Sequence, residues 1–251
     1  PEMSRGLGDV YKRQTKEHTI GSDIMKRWQE YNFNGKIYPV NPKGGIIEGL
    51  QAYTSVLEIP GEVDLAIIVV NAKFVLSTID QCHEKGIKGL CIITAGFKET
   101  GAEGAEAEKQ LLAKVREYGM RCVGPNCLGV LNTNPDVMMD ATFAESLPVR
   151  GDIGFVSQSG ALGGGILNIL KDLNIGFAQF ISIGNQADVN AETALEYWEN
   201  DDDVKQILLY MESIQNPANF RKLASRITKK KPILALKAGR SAAGASAASS
   251  H

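Results

Sequence analysis

GDIGFVSQSGALGGGI, residues 151–166, decides the fold. An apolar run from Ile153 to Val156 passes through Ser-Gln-Ser-Gly into a Gly-rich start to an apolar helical pattern. That is a strand entering a helix by a tight turn. Such a turn aims unpaired backbone N–H groups, and the positive end of the helix dipole, at one point. A phosphoryl group is the expected ligand. Ser157 and Ser159 would add hydroxyl donors, and Gly160 and Gly163 would let the ligand approach the backbone. The same residues also suit a plain strand–helix corner with Ser159 as N-cap, and alone they do not decide between the two.

The alternation continues on both sides. Upstream, residues 63–70, VDLAIIVV, are continuously apolar after Asp64 and rich in β-branched side chains, which suits a central strand of a parallel sheet. Strands are expected at 88–93 and 120–123, and helices at 73–84 and 103–118. A helix is expected from Thr19, capped by Thr19 or Ser22, then an Asn34-Gly35 turn and a short strand KIYPV over 36–40. Downstream, strands are expected at 177–183, 204–211 and 232–237, with helices at 192–199 and 217–228, the latter with Pro217 near its start. Residues 132–150 lose the rhythm and carry two prolines, so a connecting segment and a domain boundary near 145–150 are expected. Strand and helix alternating at short spacing make an α/β protein of doubly wound sheets with loops gathered at their carboxyl edges.

The composition bounds the class. The chain of 251 residues is long enough for two domains, and 43% hydrophobic with 22% charged residues is the balance of a soluble globular protein. A formal net charge of −2 gives no footprint for nucleic acid or an acidic lipid surface, and no run approaches the ~20 apolar residues of a membrane span. Cys82, Cys91, Cys122 and Cys127 form no Cys-x-x-Cys pair, so buried free thiols are expected and no metal site. No secretory signal is recognisable, which makes the cytoplasm the default location. Residues 1–14, PEMSRGLGDVYKRQ, fit no element and read as a non-native or disordered leader. Asp201–Asp203 and Lys229–Lys231 read as solvated loop and helix ends, and His18 and His83 as surface imidazoles.

Six separate stretches carry a resemblance: NFNGKIYPVNPK, ITAGFKE, VGPNCLG, GFVSQSGALG, ISIGNQADVN, and KAGR followed by a small-residue run ending SSH. In this order they resemble the NDP-forming acyl-CoA synthetases, and more narrowly the α part of ADP-forming acetate–CoA ligase, related to the succinyl-CoA synthetase α subunit. The resemblance runs from about Thr19 to His251. It implies a CoA-binding Rossmann-like domain over residues 15–147, lacking its first strand. A flavodoxin-like ligase domain over 148–251, cut at the histidine loop, would follow. The family's first strand and Gly-rich phosphate loop would precede Thr19 and are not recognisable there, so weak or absent CoA binding is expected of this chain alone, and the cut after His251 leads to the expectation of no complete turnover.

The resemblance also implies a relay. Phosphate attacks an acyl-CoA thioester, releasing CoA and leaving an acyl phosphate. A histidine takes the phosphoryl group, freeing the acid, and passes it to ADP to give ATP. His251 matches the histidine and Glu212 the carboxylate that orients it, with Ser157, Ser159 and Gly160 at the phosphoryl group. An imidazole is a nucleophile near pH 7, and a carboxylate on its other nitrogen sets its tautomer and steadies its cation. Coenzyme A would lie along Asn41, Pro42 and Lys43, then Val70 and Asn71, then Thr94, Ala95 and Gly96, and finally Gly124, Pro125 and Asn126. ADP or ATP with Mg2+ would sit on an ATP-grasp (β) domain or subunit, so a hetero- or homo-oligomer is expected. Without the resemblance, Lys43 also suits a solvated loop lysine and His251 a residue with no role. A non-catalytic CoA- or nucleotide-binding module is the alternative, but it has no need of SQSG, Glu212 and His251 together. An NAD-dependent dehydrogenase would need G-x-G-x-x-G after a first strand and an acidic residue after KIYPV, and neither is present. A protein lysine acetyltransferase of this family would need a fused acetyltransferase domain, and none is recognisable.

Overall fold

A computed structural model describes residues 19–239; the 1–14 leader, His18, Arg240 and His251 lie outside the described residues. The described residues open with helix α1 (Ile20–Glu30), capped as expected by Thr19, whose hydroxyl accepts the Ser22 N–H at 3.2 Å. A small antiparallel pair, β1 (Ile46–Ile47) and β2 (Leu50–Gln51), follows. Then come β3 (Leu65–Ile68), α2 (Ala72–Lys85), β4 (Gly89–Ile92), α3 (Ala102–Glu117) and β5 (Arg121–Val123). The three strands pair in parallel in the order β3-β4-β5, with α2 and α3 crossing between them.

The KIYPV segment differs from its expectation. Only Val40 pairs, through an isolated bridge to Tyr53. Pro39 has no N–H to give a ladder and contributes only its carbonyl, which accepts from Tyr53 N–H at 2.9 Å.

The rest of the chain builds a second, larger sheet. Its elements are β6 (Gly129–Asn132), β7 (Met139–Thr142), β8 (Arg150–Ser157), α4 (Gly160–Asp172), β9 (Phe177–Ser182), α5 (Ala191–Trp198), β10 (Gln206–Met211), α6 (Pro217–Ile227) and β11 (Ile233–Lys237). The strand order is β11-β10-β8-β9-β6-β7, parallel across the first four and antiparallel for the last two. Residues 132–150, read as a connector, therefore hold β7 and the hairpin turn that joins it to β6. The Asn-Pro-Asp polarity marks the hairpin turn, where Val137 N–H donates to Asn134 O at 2.9 Å. Gly129 permits the tight pairing: its φ is +121°, and a Cβ there would stand 2.1 Å from Ala141 O.

Strand β8 is buried on both faces. Phe155 packs with Phe177, Phe180 and Leu167 on one side, and Val156 with Leu195, Trp198 and Ile227 on the other. Gly154 leaves room for the Trp198 ring, which a Cβ would meet at 2.9 Å. The Trp198 indole N–H is satisfied by Gln179 Oε1 at 2.8 Å. The smaller sheet has its own core of Ile68, Val75, Ile79, Leu90, Ile92, Leu111 and Val115. All four cysteines are buried and free, as expected. Burial pushes the Cys82 thiol up to about 11 and, with Asp188 and Cys127 nearby, that of Cys122 up to about 12. Among the described residues no helix is long and apolar enough to cross a membrane.

Asp140 on β7 is a buried carboxyl only 1% exposed. Burial raises its pKa to about 6 against the pull of Thr142, whose hydroxyl donates at 2.7 Å and backbone N–H at 3.1 Å. Between about pH 4 and 6 the folded chain holds a proton that the unfolded chain has released, so this group makes stability fall as pH rises through that window. Asp140→Asn keeps an acceptor for Thr142 and removes the slope. It should stabilise the protein at pH 7.5 by up to about 3 kcal/mol, on ~1.4 kcal/mol per pKa unit, and by little at about pH 4, as read by denaturant unfolding at both pH values.

Candidate functional site

Parallel strands β8, β9, β10 and β11 all end on one side of the second sheet, so their following loops converge. Ser159 has an extended backbone and caps α4, its Oγ accepting the Leu162 N–H at 3.3 Å. Ser159 and Gly160 line a cavity of about 2020 Å³ between the two sheets. The open N-terminus of α4 therefore faces that cavity, as a helix start that binds an anion must. Ser157 differs from its expected role. It is fully buried, and its hydroxyl donates inward to Ser159 O at 2.6 Å. Gly163 likewise serves packing: a Cβ there would meet Phe180 at 3.0 Å and Ser157 at 3.1 Å.

Glu212, the first residue after β10, lines the same cavity. Its Oε1 is buried with no hydrogen-bond partner among the described residues. A buried acceptor without a donor costs about 1–3 kcal/mol, so such an atom invites an incoming N–H or O–H. Around Glu212 the backbone is held by side chains. Gln158 Oε1 accepts the N–H groups of Glu212 at 2.8 Å and Ser213 at 3.0 Å, and Lys237 Nζ donates to Glu212 O at 2.7 Å. Ser213 Oγ accepts from Gln158 Nε2 at 3.1 Å and from Gln186 Nε2 at 2.8 Å.

The first sheet contributes the opposite wall. Asn41, Pro42, Val70, Asn71, Thr94, Ala95, Gly96 and Asn126 line the cavity; Lys43, Gly124 and Pro125 do not. Asn71 caps α2, its Oδ1 accepting from Lys73 N–H at 3.2 Å. Thr94 Oγ1 ties its loop to the end of β3 by donating to Val70 O at 2.7 Å. Lys43 is exposed, its own N–H given to Asn41 Oδ1 at 2.9 Å. Gly124 and Pro125 are buried because the second sheet's loop lies on them, and their carbonyls accept from Ala187 at 3.1 Å and Asn185 at 2.9 Å.

That junction is polar and closed. Asn185 is 6% exposed, and its Nδ2 donates to Glu99 Oε2 at 2.5 Å and Glu108 Oε2 at 2.7 Å. Its Oδ1 accepts from Asn126 at 3.3 Å, and its carbonyl from Lys98. Burial raises the Glu99 pKa, but hydrogen bonds from Asn185, Gly96 and Phe97 outweigh it and hold the carboxyl below its ordinary value. Sequence reasoning missed Asn185, Glu99, Gln158 and Lys237. The partners of Asn185 lie 77 and 86 residues away along the chain, beyond any local pattern.

Comparison with known proteins agrees with this architecture. A family model described as a CoA binding domain matches residues 13–133, and one described as a succinyl-CoA ligase like flavodoxin domain matches residues 150–251. The α subunit of acetate–CoA ligase [ADP-forming] II from Pyrococcus furiosus is 49% identical over 232 residues, covering 92% of this chain and 50% of the relative. A 4-hydroxybutyrate–CoA ligase [ADP-forming] from Nitrosopumilus maritimus is 40% identical over 253 residues, covering 100% of this chain and 36% of the relative. The solved structure of a Ca. Korarchaeum cryptofilum dinucleotide forming acetyl-coenzyme A synthetase 1, in complex with phosphate and ADP, superposes with a TM-score of 0.88 at 39% identity. That match covers 94% of this chain and 51% of the solved one.

The protein is thus a two-module α/β chain, a CoA-binding domain followed by a succinyl-CoA ligase-like flavodoxin domain. It belongs to the NDP-forming acyl-CoA synthetase family. The chain spans about half the length of the α-subunit relatives it matches.

The close approach at the junction makes a direct test. Gly184 has φ +50°, and a Cβ on it would stand 2.3 Å from Asn126 O and 2.4 Å from Pro125 O. Gly184→Ala should therefore destabilise the protein by more than about 2 kcal/mol in denaturant unfolding. Gly165→Ala on α4, where a Cβ meets nothing within 4 Å, should be neutral or stabilising by up to about 1 kcal/mol.

Proposed function

We propose that this chain is the α portion of an acyl-CoA synthetase that interconverts acyl-CoA, ADP and phosphate with a carboxylic acid, CoA and ATP. The observation that carries the reading is Glu212, which lines the same cavity as the start of α4 and whose buried Oε1 has no partner among the described residues. A carboxylate waiting for a donor beside an anion-binding helix start is what a phosphohistidine relay requires. In this reading the His251 imidazole donates one ring N–H to Glu212, which sets the tautomer and steadies the cation formed as the other nitrogen takes the phosphoryl group. The backbone N–H groups after Ser159, with Gly160 leaving the approach open, receive the phosphoryl oxygens. Ser157 supports this loop from inside rather than contacting the ligand.

Coenzyme A enters from the first sheet. Asn41 and Pro42, the Val70–Asn71 strand end, the Thr94–Gly96 loop and Asn126 form the wall along which it lies, in the crevice where open α/β sheets bind ligands. Phosphate adds to the thioester carbonyl and CoA leaves as the thiol, giving an acyl phosphate. Histidine nitrogen attacks its phosphorus, and the carboxylate leaves. ADP then accepts the phosphoryl group on an ATP-grasp domain or partner subunit, with Mg2+ held there. The protein so formed works in the cytoplasm as a hetero- or homo-oligomer. The relatives' names span different acyl groups, so the reading is of the reaction class.

The test uses the full-length protein with its ATP-grasp partner and ATP labelled in the γ-phosphate. Acid-labile label should appear on the protein, vanish in His251→Ala, and form roughly a hundredfold more slowly in Glu212→Gln. Unchanged labelling in both variants would remove the relay assignment.

A further inference from the structure

The ladder of the second sheet stops one residue short of Glu212. Its last pairs there are Tyr210 with Ser157 and Met211 with Lys237. Gln158 N–H still donates to Tyr210 O at 3.0 Å, but no strand is left to receive the N–H groups of Glu212 and Ser213. The Gln158 side chain receives both, at 2.8 and 3.0 Å. Its orientation is settled by chemistry: two backbone donors require the oxygen on that side, which turns Nε2 toward Ser213 Oγ at 3.1 Å. Every polar atom of the carboxamide is thus engaged, and Gln186 holds Ser213 from the other side at 2.8 Å. The acidic side chain that grows from this clamped backbone borders the cavity, with Oε1 buried and without a partner among the described residues.

We propose that Gln158 is a positioning residue for phosphoryl transfer: its carboxamide stands in for the missing strand partner and holds the Glu212 backbone so that the carboxylate faces the start of α4. The inference rests on the role given to Glu212 above. It assigns a task to the middle residue of Ser-Gln-Ser, which the anion site itself does not use. Without the carboxamide, the Glu212–Ser213 backbone is free to rotate its N–H groups toward water, and the carboxylate moves with it. A displacement of about 1 Å in a positioned group costs about 10²-fold in rate.

The experiment measures the initial rate of acid-labile labelling from γ-labelled ATP, using the full-length protein with its ATP-grasp partner. Gln158→Ala is compared with Gln158→Met, which has similar length and no amide oxygen, and each is also combined with Glu212→Gln. Both single variants should label tenfold or more slowly, with the KM for ATP unchanged. On the Glu212→Gln background neither should slow labelling by more than about twofold, because residues that act through one another are not additive. Wild-type rates in both single variants, or the full loss repeated on the Glu212→Gln background, would overturn the proposal while leaving Glu212 in place. Wild-type labelling by Glu212→Gln alone would instead remove the relay reading, and this inference with it.

Discussion

The two sheets are held in register by main chain, not by side-chain greasing alone. The loop after β9 lies along the end of β5, with Val189 donating to Cys122 O at 3.1 Å, Ala187 to Gly124 O at 3.1 Å and Asn185 to Pro125 O at 2.9 Å. Backbone bonds of this kind demand a fixed offset, so the carboxyl edges of both sheets must open into one crevice. Gly184 lets the two loops touch, and Arg121 adds an ion pair to Asp188 at 2.7 Å whose second acceptor duty is the Cys122 N–H at 3.0 Å. The shared cavity depends on this seam. Were it to slip by a residue, the helix start of α4 and the loop at Gly96 would face different spaces.

The seam is strengthened where it is most buried. Glu99 and Glu108 would repel one another across Asn185 if its amide did not donate to both. Lys98 neutralises part of that charge, at 3.4 Å from Glu108. Buried polar groups of this kind add little net stability when fully satisfied, about 1 kcal/mol per hydrogen bond, but leaving one unpaired is expensive. The arrangement therefore favours a single relative placement of the two modules over any near alternative.

Much of this was legible before any coordinates. The strand–turn–helix at 151–166 announces itself because an apolar run gives way through Ser-Gln-Ser-Gly to a Gly-rich helical pattern, and Ser159 takes the N-cap position that the plain-corner reading gave it. The parallel strands β3, β4 and β10 follow from unbroken apolar runs bounded by turn residues. Less visible was the β6–β7 hairpin, because its strands are short and its turn carries Pro135 among polar residues, as a linker would. KIYPV misled in the other direction: β-branched and aromatic content suggested a strand that Pro39 cannot complete. At the site, residue type pointed to the turn before α4 as a candidate anion site, and the family resemblance pointed to Glu212. Direction was not legible: Ser157 turns inward, and Gly124 and Pro125 face a neighbouring loop rather than the cavity. Inward or outward is decided by partners far along the chain, which no local pattern encodes.

The buried thiols of the first module carry a consequence of their own. Cys91 and Cys127 sit 3.9 Å apart, sulfur to sulfur, and both are buried. The contact with Cys127, together with burial, holds the Cys91 thiol well above its ordinary pKa, so it stays protonated and a poor nucleophile. Mixed disulfides at Cys91 with any free thiol are thereby disfavoured while the fold is closed. The fully buried Cys91 sulfur becomes reactive only when its sheet opens, so its rate of alkylation is a built-in clock for local unfolding of the β4–β5 region.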